Sequence, residues 1–168
     1  MPEKSVVIIS GASRGIGAAT ARWLAKAGAA VSVFARSADG LAAVAGDVEQ
    51  LGGAALVCKG DVSDAGACRA AVAETLERFG RLDAVVNNAG TVEPLAPVSS
   101  SDVDRWQYNI AVNLLGPFYL IRAAIDELRE HSGRIVNVSS GAATTRIENA
   151  SAYCAAKAAL NHFSRVLA

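Results

Sequence analysis

Ser140, Tyr153 and Lys157 are the residues whose types and spacing carry the most chemistry. Tyr153 and Lys157 are separated by three residues in the alanine-rich stretch SAYCAAKAALNHF. A helix there stacks their side chains on one face. A free tyrosine, with a pKa near ~10, is a poor acid or base at neutral pH. An ammonium held beside it favours the phenolate and lowers that pKa. Ser140 follows the apolar run Arg134–Ser139, which predicts a buried strand. A hydroxyl at the end of that strand is placed to hydrogen-bond a substrate carbonyl oxygen. Tyr-x-x-x-Lys alone is equally compatible with a solvated helix face. Its chemical reading depends on a glycine loop at the other end of the chain.

That loop, SGASRGIG at 10–17, follows the predicted strand Val6–Ser10. It precedes a helical pattern with Ile16, Ala19, Trp23, Leu24 and Ala27 on one side. Strand, glycine turn and helix form the context a dinucleotide fingerprint requires. Gly11 would allow the tight turn, Gly15 the approach of backbone to a pyrophosphate, and Gly17 the close packing of helix on strand. Ser13, Arg14 and Ile16 complete the candidate phosphate cradle. The helix N-terminus behind it offers N–H groups and partial positive charge. A turn that uses glycine only for its shape is the competing reading, and the spacing G-x-x-x-G-x-G differs from G-x-G-x-x-G.

Further stations follow in order: Asp61-Val62, NNAG at 87–90, Asn113, Ser140 and Tyr153-x-x-x-Lys157. Together with the loop they resemble the short-chain dehydrogenase/reductase family, over residues 6–163. GTVEPLAPV and KAALNHF also resemble a subgroup near the sepiapterin and benzil reductases. The resemblance implies hydride transfer between a nicotinamide and the carbonyl or secondary alcohol of a small molecule, with no metal. In that scheme Tyr153 donates the proton in the reductive direction and Ser140 polarises the carbonyl. Lys157 lowers the pKa of Tyr153 and bonds the nicotinamide ribose. The main-chain carbonyl of Asn113 holds a water against that lysine, and Gly116-Pro117 kinks the helix around it. Asp61 bonds the adenine amino group and Val62 adds a backbone contact. Asn87 braces the sheet, while Asn88, Ala89 and Gly90 bring backbone close to the cofactor. Ser139 competes with Ser140, but Ser140 satisfies the family's usual gap to the tyrosine. The alternative for Asp61 is a helix N-cap, a role for which Asp64 is better placed.

Charge bears on the cofactor. NAD enzymes of this fold carry an acid at the end of the second strand, for the ribose 2′-hydroxyl. Here that position is Ala35, followed by Arg36, and Arg14 lies in the loop. Guanidinium groups grip a 2′-phosphate bidentately, so NADP(H) is favoured over NAD(H) unless both arginines are simply solvated.

The chain has 168 residues, 52% of them hydrophobic, which suffices for one globular domain over 1–168 with a sizeable core. Strands are predicted at Val6–Ser10, Ala30–Ala35, Ala54–Lys59, Ala84–Asn87 and Arg134–Ser139. Helices are predicted at Gly15–Ala27, Asp39–Leu51, Asp64–Phe79, Ser101–Glu130 and Ala150–Ala168. This alternation implies an α/β Rossmann-type doubly wound parallel sheet, its strands near-continuously apolar because both faces are covered. Basic and acidic residues balance at 16 each, with no stripe for nucleic acid. No apolar run reaches a membrane span, and MPEKSVVIIS reads as a first strand rather than a signal peptide. Three scattered cysteines suit a reducing cytoplasm. Trp23 and Trp106 read as packing residues. The chain is C-terminally truncated relative to the family, whose later strands and substrate loop have no counterpart here. A catalytically inactive fragment, or a nucleotide-binding or interaction protein, is therefore the second functional reading. The fourth and tyrosine helices, apolar around much of their circumference, predict a homodimer or homotetramer.

Overall fold

The apolar runs Val6–Ser10 and Ala30–Ala35 form β1 and β2, and every residue in both is buried. The computed structural model describes residues 5–168; residues 1–4, the polar lead of the N-terminal segment, lie outside the described residues. The remaining elements are α1 (Gly15–Lys26), α2 (Ala38–Gln50), β3 (Ala54–Lys59), α3 (Ala65–Phe79), β4 (Ala84–Asn87), α4 (Val103–Ile110), α5 (Gly116–Glu130), β5 (Arg134–Asn137) and α6 (Ser151–Leu167). The strands pair in parallel in the order β3-β2-β1-β4-β5. The chain winds outward from β1 to β3, then α3 carries it back to β4 on the other side of β1. The winding direction reverses between β1 and β4, and such a reversal leaves a crevice at the strand C-termini.

Alternate side chains of the strands serve two cores. On one face Ile8, Phe34, Val85 and Leu120 pack together with residues of α3 and α5. On the other, Val7, Ile9, Val31, Val33 and Val86 meet α1 and α2. Ser32, buried in the first face, accepts a hydrogen bond from Thr75 Oγ1 of α3 at 2.8 Å. A polar pair is tolerated there because each group has a partner.

Three sequence expectations are corrected. First, α1 turns Gly17, Ala18, Ala21 and Ala25 to the sheet. Ile16 and Trp23 lie 67% and 69% exposed, so Trp23 is not a packing residue here. Small side chains let the helix sit close, which outweighs the pull of the larger apolar stripe. Trp106 does pack, donating from Nε1 to Ser151 Oγ at 3.1 Å and joining α4 to α6. Second, the predicted helix Ser101–Glu130 is two helices joined by a π turn, Ala111–Leu115. It begins at Val103, where Asp102 caps the Arg105 N–H at 2.8 Å. Third, β3 and β5 are edge strands and only partly buried. The β5 ladder ends at Asn137, and Val136 is 50% exposed.

Candidate active site

The glycine loop crosses the crevice between β1 and β4. Gly11 has φ +66°, and a Cβ there would come within 2.7 Å of Ala89 Cα. Only glycine meets both conditions. Gly15 has φ +57° and faces open space, as a backbone cradle for a ligand requires. A Cβ on Gly17 would meet the Gly11 carbonyl at 2.5 Å and Asn88 Nδ2 at 2.6 Å. Its close contact is thus with the loop and Asn88 rather than with the strand. Arg14 is the N-cap of α1 and makes no side-chain cap, leaving the first N–H groups of α1 without one.

Asn88 Nδ2 donates to the carbonyls of Ser10 and Gly11 at 3.0 and 3.2 Å. Ser10 Oγ accepts from the Asn88 and Ala89 N–H groups, both at 3.1 Å. NNAG is thereby fastened to the glycine loop through Ser10, a buried hydroxyl that the motif pattern does not single out. Its signal in sequence is one serine closing an apolar strand. Asn87 braces β4 to β5 as expected, donating to Asn137 Oδ1 at 2.8 Å. Asn137 in turn donates to Ser164 Oγ of α6 at 2.9 Å.

Asn113 lies in the π turn, fully buried. Its Nδ2 donates to Thr91 O at 2.7 Å and to Asn109 Oδ1 at 2.9 Å. Asn109, also buried, donates to Thr91 O and Glu93 O at 3.0 and 2.7 Å. The two asparagines hold the loop after β4 against the helix. Asn109 was legible only as a second polar residue one turn before Asn113. Pro117 stands four residues after Asn113 and has no N–H. The Asn113 carbonyl therefore has no α-helical donor, and the ladder opens next to it.

Lys157 on α6 is 4% exposed. Its Nζ donates to Val138 O at 2.8 Å and lies 5.7 Å from the Tyr153 ring centroid. Burial pulls its pKa below the ordinary lysine value. A Cβ on Gly90 would sit 3.0 Å from Asn113 Oδ1 and 3.9 Å from Lys157 Nζ. NNAG, Asn113 and Lys157 thus converge at one point. Ser140 is half-buried and, instead of ending the strand, lies three residues beyond β5, where it accepts from the Ala142 N–H at 3.2 Å and caps the turn Gly141–Ala143 that packs on α6. Ser139 is exposed.

From that convergence a cleft of about 910 Å³ runs along the strand ends. Gly11, Ser13, Arg14, Gly15 and Ile16 line it, as do Arg36, Asp61, Val62, Asn88, Ala89 and Gly90. Gly17 lies beneath the loop. Burial works against the Asp61 carboxylate, yet the Ser63 N–H, the Tyr108 and Ser63 hydroxyls and Arg36 outweigh it and hold its pKa below the usual range. Asp61 does not cap α3; Asp64 does, accepting from Gly66 and Ala67 N–H. Burial pushes the Cys58 and Cys68 thiols up to about 12, so neither is a nucleophile at neutral pH. Among the described residues no cluster of His, Cys, Asp and Glu suits a metal, and no helix is long and apolar enough to cross a membrane.

Parallel strands with a glycine turn at the reversal point, and a buried lysine beside a tyrosine one helical turn away, define a Rossmann-type α/β fold with a candidate dinucleotide site. The chain belongs to the short chain dehydrogenase family, which matches residues 5–168. It is 38% identical over 165 residues to 11-beta-hydroxysteroid dehydrogenase-like 3 of Arabidopsis thaliana, covering 98% of this chain and 53% of that protein. An alcohol dehydrogenase from the archaeon Thermococcus sibiricus, solved with 5-hydroxy-NADP, superposes with TM-score 0.93 at 34% identity, over 98% of this chain and 70% of that one. An NAD+-bound xylitol dehydrogenase superposes with TM-score 0.94 at 28% identity, over all of this chain and 65% of that one. The chain thus spans 53–70% of the length of these proteins. The cleft residues fit an NAD(P) cofactor: an open glycine cradle, free helix N–H groups and an ionised acid at the far end.

Proposed function

We propose that this chain carries the cofactor cleft and proton-transfer residues of an NADP(H)-dependent oxidoreductase that interconverts a small-molecule carbonyl and its secondary alcohol. One observation carries the reading. Gly90, a wall of the cleft, abuts both Asn113 and Lys157. The site that would hold a dinucleotide is therefore continuous with the Tyr153–Lys157 pair. The bound dinucleotide supplies or accepts hydride. Ser13, Arg14, Gly15, Ile16 and Gly17 hold its pyrophosphate at the α1 N-terminus. Asp61 and Val62 take the adenine, and Asn88, Ala89 and Gly90 flank the nicotinamide half. Tyr153 Oη gives its proton to the carbonyl oxygen, which Ser140 Oγ orients. The Lys157 ammonium stabilises the charge left on that phenol and bonds the ribose. The Asn113 carbonyl, freed by Pro117, holds a water that returns a proton by way of Lys157.

NADP(H) is preferred because Arg14 and Arg36 flank the outer end of the cleft and Ala35 takes the place of an acid. The segments GTVEPLAPV and KAALNHF put diketones and pterins among the substrates to try. The partner is a small molecule, with neither nucleic acid nor membrane, and the free thiols suit a reducing cytoplasm. A second reading is nucleotide binding without turnover. Calorimetry with NADPH and NADH, followed by NADPH oxidation against ketones, diketones, quinones and pterins, tests both. Tighter NADPH binding with carbonyl-dependent oxidation is expected. Binding without oxidation of any carbonyl leaves the second reading. Tighter binding of NADH overturns the cofactor preference.

A further inference from the structure

Tyr108 belongs to none of the motifs, yet its hydroxyl reaches from α4 across the outer end of the cleft. It donates to Asp61 Oδ2 at 2.8 Å and accepts from Arg36 Nη1 at 2.7 Å. Arg36 Nη1 is thereby held 3.7 Å from the same carboxylate oxygen. All three residues line the cleft. The other carboxylate oxygen, Oδ1, already accepts from the Ser63 N–H at 2.9 Å and the Ser63 hydroxyl at 2.8 Å. The oxygen left for a ligand is the one Tyr108 holds.

Each of these two bonds joins a charge to a neutral hydroxyl, which makes it stronger than a neutral pair. Both lie at the surface, where water and ligands compete with them. Resting on the nucleotide-cleft reading above, we propose that Tyr108 is a strap across the adenosine end of the free chain, displaced when a nucleotide enters, and so a determinant of nucleotide affinity and selectivity. The amino group of the base competes with Tyr108 for Asp61 Oδ2. A 2′-phosphate competes with Tyr108 for Arg36. A 2′-phosphorylated nucleotide breaks both bonds, whereas one without that phosphate breaks only the bond to Asp61.

Calorimetric titration of the 168-residue chain and its Tyr108→Phe variant with 2′,5′-ADP and with 5′-AMP tests this. Phenylalanine keeps the ring and removes only the hydroxyl. The variant is expected to bind 2′,5′-ADP roughly three- to tenfold more tightly, the scale of one or two hydrogen bonds no longer broken, with a smaller gain for 5′-AMP. Unchanged or weaker 2′,5′-ADP binding by the variant, with the wild type binding it, overturns the strap and leaves the nucleotide reading intact. Equal wild-type affinity for the two nucleotides, alongside a gain in the variant, overturns the 2′-phosphate preference and supports the strap. Absence of binding by either nucleotide to either protein overturns the nucleotide reading, and the strap with it.

Discussion

At the scale of single residues, Tyr153 and Lys157 separate function from stability. Tyr153→Phe deletes one hydroxyl from a half-buried ring, so fold and NADP(H) affinity should survive. Turnover should fall by several orders of magnitude, because proton donation and stabilisation of the carbonyl oxygen are lost together. Ser140→Ala should also lower kcat, whereas Ser139→Ala, on an exposed side chain, should be mild. Steady-state kinetics of the three variants checks this, and a Tyr153→Phe enzyme with wild-type kcat would end the mechanism. Lys157 should behave differently. Its ammonium is buried, donates to the Val138 carbonyl and, among the described residues, pairs with no carboxylate. An uncompensated buried charge costs several kcal/mol, against about 1–3 kcal/mol for the Val138 carbonyl left unpaired. Lys157→Met should therefore melt no lower than wild type while losing turnover and cofactor affinity; a fall in Tm of more than about 5 °C, over 1 kcal/mol for a chain this size, refutes the imbalance. The pairing of Tyr153 with Lys157 was legible because one helical turn defines it, whereas Ser140, expected at a strand end, sits in the turn three residues beyond β5. Ser10, Asn109 and Tyr108 were not legible, because each acts through partners far off in sequence that only the folded sheet brings near.

Among the elements, the helical segment after β4 departs most from its sequence pattern. Its sequence reads as one helix from Ser101 to Glu130, because apolar residues around much of the circumference hide the one-residue phase shift of a π insertion. The cause of the break is local. Pro117 cannot donate to the Asn113 carbonyl, and buried Asn113 and Asn109 satisfy themselves on the loop carrying Thr91 and Glu93. Pro117→Ala restores an N–H at that point. Pro117 stands in the first turn of α5, where proline is tolerated and alanine equally so, so the variant should be as stable as wild type or more so. If the freed carbonyl holds the relay water, kcat should drop about tenfold while NADPH affinity stays the same. Thermal melts with kinetics check this, and unaltered kcat in a more stable variant would remove Pro117 and the carbonyl from the relay. The inward face of α1 was misjudged for a related reason: hydrophobicity points to Ile16 and Trp23, but proximity to the sheet selects the alanines.

At the scale of the whole molecule, a parallel sheet with helices on both faces followed from the alternating elements, whereas the strand order β3-β2-β1-β4-β5 and its reversal point are seen only in the structure. The exposure of β3 and β5 did not follow either, because edge position depends on what lies beyond them. Two acids tie global stability to pH. Asp61 is held as described, and Asp83 accepts from the Val6 N–H at 2.7 Å and from Arg81. Burial opposes the Asp83 carboxylate too, but Arg81 and the Val6 N–H hold its pKa below the ordinary value. Groups with depressed folded pKa values contribute stability above their unfolded value of about 3.9 and lose it as pH falls through the folded values. Tm should be level from neutrality to about pH 5 and decline below pH 4. Asp83→Ala should cost about 1–3 kcal/mol at pH 7, with the gap to wild type narrowing in acid. A gap independent of pH would assign the loss to packing.

Assembly is the remaining property at this scale, and the outward faces of α5 and α6 bear on it. Phe118 is 45% exposed although it stacks edge-on with Phe163 of α6 at 6.3 Å. Leu115 at the end of the π turn, and Val166 and Leu167 of α6, are exposed apolar residues as well. Helices that are apolar beyond the stripe facing their own core bury the excess against a partner. In the family these two helices meet their copies across a two-fold axis, which makes each patch its own complement. We propose the same here. Phe118→Glu would put a carboxylate on each side of the axis, where like charges repel and lose hydration. Light scattering at micromolar concentration should give at least a dimer for the wild type and a single-chain mass for the variant, whose Tm should then become independent of concentration. A wild-type mass of one chain would refute the dimer. A variant that stays dimeric would move the interface to another face of the molecule.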